Sequence, residues 1–159
     1  MSVTRLNHAV LFVRDADVAA EFYGRVFGFR NLGAPPGMRA AFMRADGTDN
    51  HHDLGLFEVG PNAAKPARGS VGLYHLAWEV ATIEDLARLS SELSLVGALT
   101  GASDHGVSKS LYGRDPDGNE FEVMWRVPRE AWGPNPDEAV VRPLDLDAEL
   151  ARWGAGASV

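Results

Sequence analysis

Two histidines, His8 and His75, stand third in two octapeptides of matching pattern, LNHAVLFV (6–13) and LYHLAWEV (73–80). A carboxylate, Glu122, lies in NEFEVMW, close to the end of the second half. Two neutral imidazoles and one carboxylate form a facial set that leaves three positions open on an octahedral ion. Zinc or nickel could occupy such a site, but the open face suits Fe(II), which must hold a substrate and dioxygen together. Taken singly, each residue has a plainer role: a strand histidine is usually a packing or surface residue, and Glu122 could simply face solvent. The joint pattern points to a metal, because the histidines occupy the same place in both halves, 67 residues apart.

The elements that must position these residues form a repeat. In the first half, LNHAVLFV is short and β-branched and predicts a strand. DADVAAEFYGRVFGF predicts a helix, with Val18, Phe22 and Val26 every fourth residue and Asp15 or Asp17 as its cap. MRAAFMRA and HHDLGLFEV (51–59) predict further strands, and GPNAAKPARGSVG (60–72) predicts a linker. The order then recurs. LYHLAWEV is a strand, TIEDLARLSSEL (82–93) a helix with a Thr82-x-x-Asp85 start, and GVSKSLYGR and NEFEVMW are strands joined by a DPDG turn. The alternation of a strand puts Glu120 and Glu122 on one face and Phe121 and Val123 on the other.

This implies an α+β fold of two βαβββ modules, about 4–59 and 73–126, whose curved mixed sheets enclose a metal-binding cleft. Residues 1–126 then form one domain, and 127–159 a C-terminal extension. That extension carries Pro128, Pro134, Pro136 and Pro143 before DLDAELARW, in which Leu146, Leu150 and Trp153 share one face of a short helix. It is expected to pack on the domain or on a partner subunit.

The totals exclude several classes. A net charge of -7 with no basic cluster argues against nucleic acid. No apolar run approaches the ~20 residues of a membrane span, and the N-terminus lacks the pattern of a signal peptide. With no cysteine there is neither a disulfide frame nor a thiolate site. The expected location is the cytoplasm.

The repeat with His8, His75 and Glu122 resembles the vicinal oxygen chelate superfamily, which includes glyoxalase I, methylmalonyl-CoA epimerase, bleomycin-resistance proteins and type I extradiol ring-cleavage dioxygenases. The resemblance covers residues 4 to about 126. The extradiol branch is matched more specifically by HGVSKSLYGRDPDGNEFE (105–122), where His105, Leu111, Tyr112, Asp115-Pro116, Gly118 and Glu122 fall on that branch's pattern. HHDLGLF resembles its strand bearing a catalytic histidine, with the match on His52. The resemblance implies an Fe(II)-dependent, catechol 2,3-dioxygenase-like enzyme, Mn(II) being the other possible metal, that cleaves a catechol-type substrate with O2. It further implies His8, His75 and Glu122 as metal ligands, His52 as the acid–base group, Tyr112 and His105 as hydrogen-bonding partners of the substrate, and a homo-oligomer.

Two alternatives compete. A glyoxalase-type isomerase or epimerase would need a further carboxylate ligand and base, for which the last strand of the first half offers Glu58. A metal-free binding protein of the bleomycin-resistance kind would have no use for the triad. Arg39, Arg44, Lys109 and Arg114 could meet a substrate carboxylate, but solvated surface charge is the expected role of each.

Overall fold

A computed structural model describes residues 2–65, 67, 69–134 and 137–156. The first half contains β1 (Ala9–Val13), α1 (Ala16–Phe27), β2 (Arg30–Asn31), β3 (Ala40–Arg44) and β4 (Leu54–Glu58). The second contains β5 (Leu76–Val80), α2 (Ile83–Leu95), β6 (Leu99–Asp104), β7 (Ser108–Arg114) and β8 (Glu120–Arg126). A 3-10 turn (Arg129–Ala131) and α3 (Leu146–Trp153) follow. The strand orders are β1-β4-β3-β2 and β5-β8-β7-β6. Each sheet is mixed, with its first and last strands parallel (β1 with β4, β5 with β8) and its other pairs antiparallel. The same permutation occurs twice, as the repeated octapeptides implied. The two-residue β2 and the six-residue β6 complete the two modules. The chain divides into two compact units, Met1–Ser70 with Pro116–Gly118, and Val71–Asp115 with Asn119–Val159.

Each helix covers one face of its own sheet. Asp15 caps α1 by accepting from the amides of Asp17 and Val18, both at 3.0 Å. Its buried stripe is Ala16, Ala19, Ala20, Tyr23 and Val26. The expected stripe is therefore rotated: Val26 is buried, but Val18 is 51% exposed. Three alanines let the helix approach β3 and β4 closely, so small size outweighs the hydropathy of Val18. Thr82 caps α2 by accepting from the amide of Asp85 at 3.1 Å, and Ile83, Leu86, Leu89 and Leu93 are buried. Each such side chain contributes about 1.5–3 kcal/mol when fully buried.

These faces decide what the opposite faces carry. On β1 and β4, Leu11, Val13, Leu54 and Leu56 point toward the core, which leaves His8, Val10, Phe12, Gly55 and Phe57 on the other side. On β7 and β8, Leu111, Phe121, Val123 and Trp125 are buried, so Tyr112 and Glu122 lie opposite, paired in register. Gly113 permits this packing. A Cβ there would stand 2.5 Å from the Phe121 ring and 2.9 Å from the Ala98 carbonyl oxygen. The DPDG turn is fastened by Asp115, which is buried and accepts from the backbone amide and side-chain amide of Asn119 at 2.9 and 2.8 Å.

The extension docks on the second unit. Asp104 and Arg142 exchange backbone hydrogen bonds at 2.8 and 2.9 Å. Lys109, only 4% exposed, reaches Asp104 at 2.5 Å and Glu149 of α3 at 3.1 Å. The Trp153 and Trp125 rings are 6.0 Å apart. No helix among the described residues is long and apolar enough to cross a membrane.

Candidate metal and acid–base site

His8 and His75 occupy equivalent positions, each the residue immediately before the first strand of its module. In the second unit, His75 Nε2 lies 3.1 Å from Glu122 Oε2, with the two side chains 25% and 14% exposed. β5 and β8 are parallel neighbours with Ala77 opposite Glu122, which brings the start of one strand beside the middle of the other. Donors about 2.1 Å from one ion and at right angles stand about 3 Å apart, so this pair has the spacing of two adjacent ligands. Nδ1 of His75 is buried and has no hydrogen-bond partner among the described residues.

The Tyr112 ring lies 6.0 Å from that of His75. Burial pushes its phenol above the ordinary value, and the charge of Glu122 adds to the effect. His105 stands 2.8 Å away through Nε2, and its Nδ1 lies 2.9 Å from the Val140 carbonyl oxygen. A carbonyl only accepts, so His105 carries its proton on Nδ1. In the neutral ring Nε2 then accepts, and Tyr112 donates. A residue of the C-terminal extension thus sets the direction of the His105–Tyr112 hydrogen bond.

In the first unit the rings of His8 and His52 are 4.6 Å apart, and Phe42 packs edge-on to His52 at 5.0 Å. Nδ1 of His52 lies 3.1 Å from Nδ1 of His51. Burial, with the neighbouring His8 and His51, lowers the His52 pKa and favours the neutral ring. A cavity of about 330 Å³ opens onto His51 and His52, and Leu32, Ala34, Pro35 and Phe42 make its wall mostly apolar. A hollow of about 620 Å³ on the second unit, bordered by Trp125 and Trp132, includes none of the six candidate residues.

The loop before β4 is tied down by polar contacts. Asp53 is buried and accepts from the Ala45 amide at 2.9 Å and from Asn50 Nδ2 at 2.8 Å. Asn50 is bound in turn to Asn7 and Arg5.

Among the described residues, no group of three or more His, Asp or Glu side chains stands together as a formed metal cluster. The second unit brings His75, Glu122, Tyr112 and His105 together, and the first brings His8 and His52 together. Within the second unit, one imidazole and one carboxylate stand at ligand spacing, a donor pair that suits a divalent ion.

Several charges are already engaged. Glu58 pairs with Arg39, and its side chain is 10% exposed. It shares the helix-facing side of β4 with Leu54 and Leu56, away from His8. Arg114 pairs with Glu120 at 3.1 Å. Lys109 is a buried structural cation rather than the solvated surface charge expected of it. Sequence reasoning missed Asn7, Asn50, His51 and the Val140 carbonyl. Only the adjacency of Asn7 to His8 offered a signal.

A sequence model described as the Glyoxalase/Bleomycin resistance protein/Dioxygenase superfamily matches residues 5–123. The chain belongs to that superfamily. A catechol-2,3-dioxygenase of Bacillus subtilis is 35% identical over 130 residues, 81% of this chain and 44% of that protein. Biphenyl-2,3-diol 1,2-dioxygenase 3 of Rhodococcus globerulus is 35% identical over 128 residues, 78% of this chain and 65% of that protein. The chain therefore spans less than two thirds of either dioxygenase. Virulence protein STM3117 of Salmonella typhimurium is 31% identical over 130 residues, 80% of this chain and 88% of that protein. In fold, the chain is similar to a glyoxylase/bleomycin resistance protein/dioxygenase domain from Frankia sp. EAN1pec. The TM-score is 0.65 at 24% identity, covering 79% of this chain and 100% of that one. The fosfomycin resistance protein FosX of Listeria monocytogenes gives 0.61 at 17% identity, covering 82% and 99%. Within the superfamily, then, one scaffold serves proteins of different names.

Proposed function

We propose that this superfamily member is an Fe(II)-dependent extradiol dioxygenase, Mn(II) being the other candidate metal, which opens the aromatic ring of a catechol-type substrate with O2. The observation that carries the reading is the arrangement on the second sheet. His75 and Glu122 stand at ligand spacing beside a Tyr112 whose proton is directed to His105. Relatives named as catechol and biphenyl-diol dioxygenases support the same chemistry. In this reading His8 is the third ligand, as its match to His75 in the repeat suggests, and residues 1–126 form the working domain.

These three side chains would hold the metal, which would supply Lewis-acid and redox chemistry toward a catechol and O2. The chain's own groups manage the protons. Tyr112 holds its proton, donates it toward His105 and keeps its oxygen lone pairs for a substrate hydroxyl. A proton leaving the substrate at Tyr112 Oη displaces the phenol's own proton onto His105 Nε2, while Nδ1–H stays on the Val140 carbonyl. His52, held neutral, serves as the acid–base group on the side of His8. The apolar cavity beside it suits an uncharged ring substituent.

The isomerase alternative would need Glu58, which is committed to Arg39 on the wrong face of β4. The deciding experiment loads the chain with Fe(II) without air and follows oxygen consumption as catechols are added. Uptake matched by a yellow product, and lost in His52→Ala and Glu122→Ala, is expected. No uptake despite one tightly bound metal per chain would favour the isomerase.

A further inference from the structure

Asn50 has an unambiguous orientation. Its Nδ2 faces two groups that can only accept, the Asn7 carbonyl oxygen at 2.9 Å and Asp53 Oδ1 at 2.8 Å. Its Oδ1 receives the Arg5 guanidinium at 2.8 Å, a group that can only donate. The nitrogen of Asn50 must therefore face Asp53 and its oxygen must face Arg5. The oxygen also lies 2.8 Å from the side chain of Asn7, which has to present its own Nδ2 there. That places Asn7 Oδ1, an acceptor, 2.9 Å from His8 Nδ1. The series Asp53, Asn50, Asn7, His8 thus transmits one hydrogen-bond polarity from a buried carboxylate to an exposed ring.

From this we infer that Asn7 is a positioning residue that fixes His8 as the Nδ1–H tautomer and so presents the lone pair of Nε2 to the metal. The role of Nε2 as a ligand rests on the proposed function; the tautomer does not. A histidine ligand commonly donates its second ring N–H to such a partner, which orients the ring and raises its basicity. Here the partner is the preceding residue, and its orientation is dictated by a loop 43 positions further along the chain. The second module has Tyr74 in the equivalent place.

The test uses the whole chain without metal, labelled with nitrogen-15, and identifies by ring nitrogen–proton correlations which nitrogen of His8 is protonated. The His8 signal is assigned by its loss in His8→Gln. Protonation at Nδ1 is expected in the wild type. Asn7→Ala should admit the Nε2–H form, whereas Asn7→Asp keeps an acceptor opposite Nδ1 and should retain the wild-type tautomer. This rescue distinguishes the polar role from a packing role. In parallel, Mn(II) titration should show affinity weakened about 10- to 100-fold in Asn7→Ala, and not weakened in Asn7→Asp. An Nε2–H ring in the wild type, or a tautomer and affinity unmoved in Asn7→Ala, would overturn the proposal. If the tautomer responds as expected but His8→Gln leaves Mn(II) affinity unchanged, the metal role of His8 is lost while the tautomer lock stands.

Discussion

His8 and His75 open equivalent strands of a repeated module, yet the two rings are held in opposite ways. Asn7 holds His8 at Nδ1, and a polar series anchors Asn7 in the loop before β4. His75 is held at Nε2, by Glu122 across a parallel strand pair, and its buried Nδ1 has no hydrogen-bond partner among the described residues. One ring is oriented through the nitrogen that would not bind metal, the other through the nitrogen that would. Duplication supplies matched positions, but the surroundings of each copy determine what the residue can do. The second site also depends on the C-terminal extension, through Val140 and the buried Lys109, whereas the contacts that orient His8 are made within the first unit.

The strongest way to break this contrast is Lys109→Ala. Removing the cation takes the ammonium partner from both Asp104 and Glu149, and loss of one partner of a buried pair costs about 3–5 kcal/mol. Denaturant unfolding should show that loss, and the His105–Tyr112 hydrogen bond should weaken while the His8 tautomer persists. Next in size, Glu122→Ala should lower metal affinity by more than the ~10- to 100-fold typical of residues that only support a ligand, as measured by Mn(II) titration.

Gly113→Ala presses a methyl group into Phe121 and the Ala98 carbonyl. A stability loss of about 1–3 kcal/mol is expected, with a higher KM for the catechols of the proposed reaction as Tyr112 shifts. A pH titration probes the same region more gently. Burial acts to raise the pKa of Asp104, but Lys109, the Gly106 amide and Arg142 outweigh it, and the net shift is downward from 3.8. A lowered folded-state value means that Asp104 contributes stability above 3.8, and that this is lost as pH falls through the folded value. Stability should therefore drop below pH 3.8 in the wild type, and less steeply in Asp104→Asn. The smallest effect is expected from Arg5→Ala. Arg5 is largely exposed and its pair with Asp49 is at the surface, so at most about 1 kcal/mol should be lost, and Asn7 should still orient His8.

Much of this protein was legible in its sequence because the signals were local. Both helix caps, the DPDG turn and the face of α3 follow from residues within a few positions of one another. The matched histidines were visible because the module repeats. Other features were not. β2 has only two residues, Arg30 and Asn31, and β6 (LTGASD) lacks an apolar alternation, so neither announces a strand. The α1 stripe was misplaced because Val18 is more hydrophobic than the alanines, while only the neighbouring sheet reveals how close the helix must come.

By itself the sequence determined most of the elements, the repeat and the residue types that could bind metal or move protons, since these depend on composition and short spacing. Tertiary structure alone decided the direction of the hydrogen bonds. His105 receives its polarity from Val140, 35 residues away, and His8 receives its own from Asn50 through Asn7. A histidine's tautomer depends on whether the group facing each ring nitrogen donates or accepts. Folding brings those groups there from distant parts of the chain.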